Sequence, residues 1–165
     1  MSSSDRRAFL TFGLSALTLA GCGYAPALAP GGVAGPLYGR IYVTDPTDEN
    51  GYRFVNRFEQ RLGQAEAPSF DLAYMIKTSE QGLAITNTQE TTRFNIVGSV
   101  TFTLTDRRTG AALMTGEVNS FTGYSATGTT VSTRTAQQDA QARLMVILAD
   151  QLATKLIGSA GTLDL

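Results

Sequence analysis

The sequence predicts an α+β domain, a small β-sheet of about four strands packed against two helices in the order β-α-β-β-β-α. Three observations lead there. Residues 93–105 alternate, with Phe94, Ile96, Val100, Phe102 and Leu104 on one parity and Asn95, Ser99, Thr101, Thr103 and Thr105 on the other. Asp106-Arg107-Arg108-Thr109-Gly110 follows at the length of a hairpin turn. Residues 51–62, and a longer segment from Thr135, instead repeat their apolar residues at helical spacing.

Taken in order, the first strand is expected over Pro36–Thr44, where β-branched and aromatic residues run up to Asp45-Pro46. Phe54, Val55, Phe58 and Leu62 then form one face of a short helix, with Arg53, Arg57 and Arg61 on another. Gly63 can close that helix and Pro68 bars its extension. A second strand over 69–77 sets Phe70, Leu72, Tyr74 and Ile76 against Asp71, Ala73, Met75 and Lys77. The third strand is the alternating segment above. Its one Thr-rich face is suited to water or to a partner, and Gly98 on the apolar parity marks a bulge or close packing. Residues 112–124 supply the returning, antiparallel strand. After the hydroxyl-rich stretch 123–133, Thr135 and Gln138 have the spacing of a capping box. The helix they open runs through Ala140, Leu144, Leu148, Leu152 and Leu156 to Gly158, about 33 Å. A helix of that length with an apolar stripe must lie across the sheet.

The N-terminus is a separate unit. Arg6-Arg7 precedes an apolar run of 13 residues, Ala8–Ala20, whereas a resident membrane helix needs about 20. Residues 1–21 therefore read as a signal peptide. Leu19-Ala20-Gly21-Cys22 matches the bacterial lipobox, and Cys22 is the single Cys of the chain. Its thiol becomes the lipid attachment point; several acyl chains on one residue anchor firmly where one is marginal. The competing reading is a plain secretory signal with a coincidental Cys. Gly23, where an Asp would hold a lipoprotein at the inner membrane, resembles lipoproteins sent to the outer membrane, on whose periplasmic side the chain is expected. The paired arginines also resemble a twin-arginine export signal. Residues 22–36, mostly Gly, Ala and Pro, are expected to be a flexible tether, and 37–165 the folded domain.

Composition narrows the function. With no His and one Cys the chain cannot assemble a zinc site or a Ser–His or Cys–His nucleophile, and no metal or cofactor is expected. A net charge of −1 is far from the basic balance of nucleic-acid binders. The glycines of residues 123–130 are spaced as in a P-loop, but Thr129 stands where the phosphate-binding Lys would be. Asp45, Asp48 and Glu49 are the one clustered acid group, and beside Pro46 and Asn50 they fit a solvated turn before a helix N-terminus better than an acid/base pair. The Arg53, Arg57, Arg61 row fits a solvated helix face. Arg107 and Arg108 are better placed for an anionic partner, since a hairpin tip projects.

The combination resembles a known family. Cys22-Gly23-Tyr24-Ala25-Pro26 with Pro36-Leu37-Tyr38-Gly39, then 89–94 (QETTRF), 121–131 (FTGYSATGTTV) and 143–152 (RLMVILADQL), look like the LPS-assembly lipoproteins, LptE, of one branch of Gram-negative bacteria. The likeness covers nearly all of the chain after the signal peptide. One departure is that the family's compact opening run is split by residues 27–34. The resemblance implies a two-helix, small-sheet fold and no catalysed reaction. It also implies a plug seated inside an outer-membrane LPS-assembly β-barrel protein, assisting that barrel's assembly and lipopolysaccharide transport to the outer leaflet. The partners are then the barrel, lipopolysaccharide and, through the N-terminal lipid, the membrane. Arg93, Arg107 and Arg108, as cations near strand ends and a turn, are the candidates for lipopolysaccharide; Tyr124, Thr127 and Thr129 are those for the barrel. The alternatives are an auxiliary lipoprotein of another, ABC-type phospholipid transporter and an envelope hydrolase working through carboxylates.

Overall fold

The computed structural model describes residues 26–29, 31–85 and 91–163. The expected signal peptide 1–21, with Leu19, Ala20 and Gly21 of the lipobox, and Cys22 lie outside the described residues. Strand β1 (Ile41–Val43) leads to helix α1 (Glu49–Leu62), strands β2 (Phe70–Ile85), β3 (Thr91–Asp106) and β4 (Ala112–Ser125), and helix α2 (Thr130–Ser159). The order β-α-β-β-β-α and the α+β class are those expected. The four strands form one sheet in sequence order. β1 and β2 run parallel, with α1 as their crossover, and β2, β3 and β4 form an antiparallel meander.

Antiparallel partners share a face of the sheet. The rows Leu72–Leu104–Met114, Tyr74–Phe102–Gly116 and Ile76–Val100–Val118 therefore make the inner face. Against it pack Phe54, Phe58 and Leu62 of α1 and Leu144, Met145, Leu148, Leu152 and Leu156 of α2, all buried. Ala140, Ala149 and Ala153 keep α2 slim where it meets its neighbours. Gly98 resolves to close packing: no register shift occurs there, and a Cβ would stand 2.9 Å from Leu144 Cδ2. Thr122 is the buried polar residue of the core among the described residues, and its hydroxyl donates to the Ala140 carbonyl at 2.8 Å. α2 is long and apolar enough to cross a membrane by length and composition. Its buried stripe identifies it instead as the core helix of this sheet.

Four boundaries differ from those expected. α2 begins at Thr130, five residues before Thr135. Its N-cap is Thr129, whose Oγ1 accepts from the Ser132 N–H at 3.3 Å, while Thr135 sits inside the helix and donates its hydroxyl to the Val131 carbonyl at 3.1 Å. Hydroxyl-rich residues compete with helix in isolation, but here they cap it and bond back along it. β1 is only three residues long, because Gly35–Leu37 forms a 3-10 turn and Gly39 takes a positive φ of 66°. β2 runs on to Ile85, well past the alternating residues, because β3 offers it a partner that far. Finally, the segment expected to be a tether is folded at its C-terminal end. Ala34 N–H donates to the Ala27 carbonyl at 2.9 Å and the Ala34 side chain is fully buried.

The elements define two ends. At one, the hairpin end, lie the start of β1, the end of α1, the β3–β4 turn and the end of α2; Gly39 N–H is bonded to the Leu62 carbonyl there at 2.7 Å. At the other lie the end of β2, the start of β3 and the start of α2. With 16 residues each, β2 and β3 extend about 50 Å between them.

Candidate functional site

The helices cover one face of the sheet and leave the other bare. On the bare face, the rows Ala73–Thr103–Thr115, Met75–Thr101–Glu117 and Lys77–Ser99–Asn119 run across β2, β3 and β4, and Ser79–Val97–Phe121 comes next. Hydroxyls and amides dominate, but Met75 and Phe121 stand 58% and 63% exposed among them. Such a surface mixes a polar field with two apolar anchors. The Thr-rich parity of β3 is the signal that marks it in the sequence.

The candidate cations are not brought together. Arg93 is exposed near the start of β3, paired with Ser125 of β4, whereas Arg107 and Arg108 lie beyond its end, about 45 Å of strand away. Near Arg93 stand the other expected contact residues, in two different settings. Tyr124 is buried at 8% exposure and stacked on Phe94 with ring centroids 5.4 Å apart. Burial first, then a hydrogen bond and the charge of Glu80, push its pKa up to about 12. Its ring belongs to the core and faces the helices. Thr127 and Thr129 are exposed, and Thr127 exchanges a 3.2 Å hydrogen bond with Ser125 while Thr129 caps α2.

At the hairpin end the chain builds a mount. The Ser69 N–H donates to the Arg40 carbonyl at 2.9 Å, and the Ser69 carbonyl accepts from the Arg107 N–H at 3.0 Å, so three segments meet on one residue. The Arg107 side chain is directed by two neighbours: its Nε donates to Asp71 Oδ2 at 3.2 Å, and its guanidinium lies 5.5 Å from the centre of the Tyr42 ring. Tyr42 in turn donates to Asp45 at 3.1 Å, and that bond, with the Asp45 charge, raises its pKa. Asp106 Oδ1 accepts from the N–H groups of Thr109, at 3.1 Å, and Arg108, at 2.7 Å, and these bonds hold its carboxyl below the usual carboxylate range. Gly110, at φ 71°, lets the turn close. An open concavity of about 810 Å³ results, with Arg40, Arg107 and Arg108 around it. Arg40 is the residue sequence reasoning missed, since only the parallel pairing of β1 with β2 carries it there.

The remaining motifs settle into structural roles. Asp48 caps α1 by accepting from the Gly51 N–H at 2.7 Å, and Glu49 pairs with Arg53 at 2.7 Å. Arg57 forms a two-pronged pair with Asp150 of α2, 2.9 Å on each side, and Arg61 joins the same carboxylate at 3.5 Å. The Asp150 hydrogen bond, then its charge, raises the Arg57 pKa. The P-loop-like glycine Gly123 lies within β4, so no phosphate cradle forms. Among the described residues there is no cluster of His, Cys, Asp or Glu able to hold a metal.

Comparison with known proteins agrees with this architecture. The fold is similar to that of a candidate lipoprotein from Caulobacter crescentus, at 19% identity and a TM-score of 0.64, over 78% of this chain and 98% of that one. It is also similar to rare lipoprotein B from Shewanella oneidensis, at 10% identity and a TM-score of 0.58, over 73% and 93% of the two chains. A minor lipoprotein from Acinetobacter baumannii matches at 20% identity and a TM-score of 0.53, over 75% and 91%. No curated protein matches the chain significantly. The family model LptE, lipopolysaccharide-assembly, matches residues 38–156, from before β1 to the last turns of α2. With its four strands, α1 and nearly all of α2 inside that match, the chain belongs to the LptE lipopolysaccharide-assembly family.

Proposed function

We propose that the chain is exported behind residues 1–21, acylated on Cys22 and held at the periplasmic side of the outer membrane, where it plugs and helps assemble a lipopolysaccharide-translocating β-barrel. The family supports a role in lipopolysaccharide transport, and with it a binding and chaperoning part rather than a catalysed reaction. The observation that carries the finer reading is the bare sheet face. Its Thr, Ser and Asn rows suit the polar lumen of a large barrel, and Met75 and Phe121 supply apolar anchor points. Thr127 and Thr129, exposed at the end opposite the hairpin, extend the contact beyond the sheet. Tyr124 supports that end from within the core. Arg93, exposed at that end, is the cation proposed to meet lipopolysaccharide phosphate deep in a lumen.

The test is an affinity pull-down of the full-length, tagged protein from detergent-solubilised outer membranes, with the co-purifying species identified by mass. A stoichiometric large β-barrel is the expected result, lost when Phe121→Asp is combined with Met75→Asp. Capture of an inner-membrane ATPase assembly instead would overturn the plug and favour a phospholipid transporter.

A further inference from the structure

The concavity at the hairpin end has an occupant that its position in the chain specifies. Of its three arginines, Arg107 is engaged by Asp71 and Tyr42, and the Asp106 carboxylate is turned to the amides of its own turn. Arg40 and Arg108 have no ion pair among the described residues, and both are exposed. Their backbones are fixed through Ser69 and the Asp106 turn, so two cations are presented from a rigid rim around about 810 Å³. Backbone hydrogen bonds step from Ala27 to Ala34, from Ala34 to Leu37 and from Leu37 to Arg40, so the described N-terminal residues lie beside this same end of the molecule. From Pro26 back to Cys22 there are four peptide links, a reach of at most about 14 Å. A lipid on Cys22 therefore keeps the hairpin end on a short tether from the bilayer surface.

We infer that the Arg40–Arg108 concavity seats the phosphate of an anionic phospholipid headgroup in the leaflet that holds the anchor, fixing the tilt of the body on the membrane. The inference rests on the proposed acylation of Cys22. It assigns this pair to the membrane and leaves Arg93 as the cation for lipopolysaccharide. A single acylated residue restrains distance but not orientation. A second, ionic contact at a separate point supplies the orientation, as paired lipid and basic signals do elsewhere.

The experiment uses the acylated full chain carrying Ala67→Cys, exposed in the α1–β2 loop at the same end but outside the concavity, labelled with a fluorophore and reconstituted into vesicles containing a quencher attached to lipid headgroups. In vesicles with 30% phosphatidylglycerol, quenching is expected to be at least twofold that in pure phosphatidylcholine. It should fall to the phosphatidylcholine level in 0.5 M NaCl, and likewise when Arg40→Glu and Arg108→Glu are combined. Both side chains are exposed, so the fold is expected to survive, and the salt arm reads the same contact without any substitution. Equal quenching in the two vesicle types, or quenching indifferent to the charge reversal, would overturn the headgroup site while leaving the anchor intact. Failure to stay with either vesicle type would overturn the anchor itself, and the inference with it.

Discussion

Gly98 and Leu144 meet without a side chain between them: a Cβ on Gly98 would stand 2.9 Å from Leu144 Cδ2 and 3.1 Å from Leu148 Cδ1. α2 therefore rests on bare β3 backbone at this point. Because Leu144 and Leu148 are fully buried, they have little room to give way. Gly98→Val should destabilise the protein by about 1–3 kcal/mol through overpacking. Gly158→Ala, late in α2 with nothing within 4 Å of the added methyl, should stabilise it by about 0.5 kcal/mol. Urea midpoints of the two variants on the same background check the pair; an unchanged midpoint for Gly98→Val would mean that the helix is free to lift from the sheet.

Thr129 carries the start of α2. Removing its cap in Thr129→Ala should cost about 1 kcal/mol, or less if the exposed first turn simply frays. The helix start should then retreat toward Thr135. Amide exchange distinguishes this from a general loss of stability: protection of residues 132–134 falls while that of Leu148 and Leu152 is kept. Uniform loss across the helix would show that the cap is not local in its effect.

Tyr124 gives the protein an alkaline limit. Its folded pKa is raised to about 12, from an ordinary value near 10, so the neutral phenol is favoured in the fold. The stability it contributes is complete below about pH 10 and is lost as pH rises from there through about 12, since the unfolded chain releases its proton first. Tyr124→Phe should flatten the fall in stability across that window, measured by urea unfolding at successive pH values. A slope identical to that of the unsubstituted protein would place the phenol in water.

How much of this was readable in advance follows the range of the interactions. The alternation of Phe94 to Leu104 and the spacing of Phe54, Val55, Phe58 and Leu62 are local records of which side meets the core, and both predict what is observed. The Asp106–Gly110 turn is equally local, since its carboxylate and its glycine act within five residues. Residues 78–85 carry no such record: they are strand because β3 pairs with them. The early start of α2 was hidden because the same hydroxyls favour loops and caps. At the site, the polar sheet face was visible in one strand's parity, whereas Arg40, Asp71 and Tyr42 converge on the Arg107 turn only through pairing across the sheet. Tyr124 reads as an exposed aromatic beside a loop, yet parity across the β3–β4 register turns it inward onto Phe94.

The length of β2 and β3 has a consequence of scale. A bilayer with its headgroups is about 40–45 Å thick, and the antiparallel pair spans about 50 Å. In the proposed plug, standing along the membrane normal with the hairpin end at the inner headgroups, the molecule would work as a ruler whose far mark falls at the outer surface. A cation at Arg93 would then be delivered to the opposite leaflet by geometry alone, without any moving part.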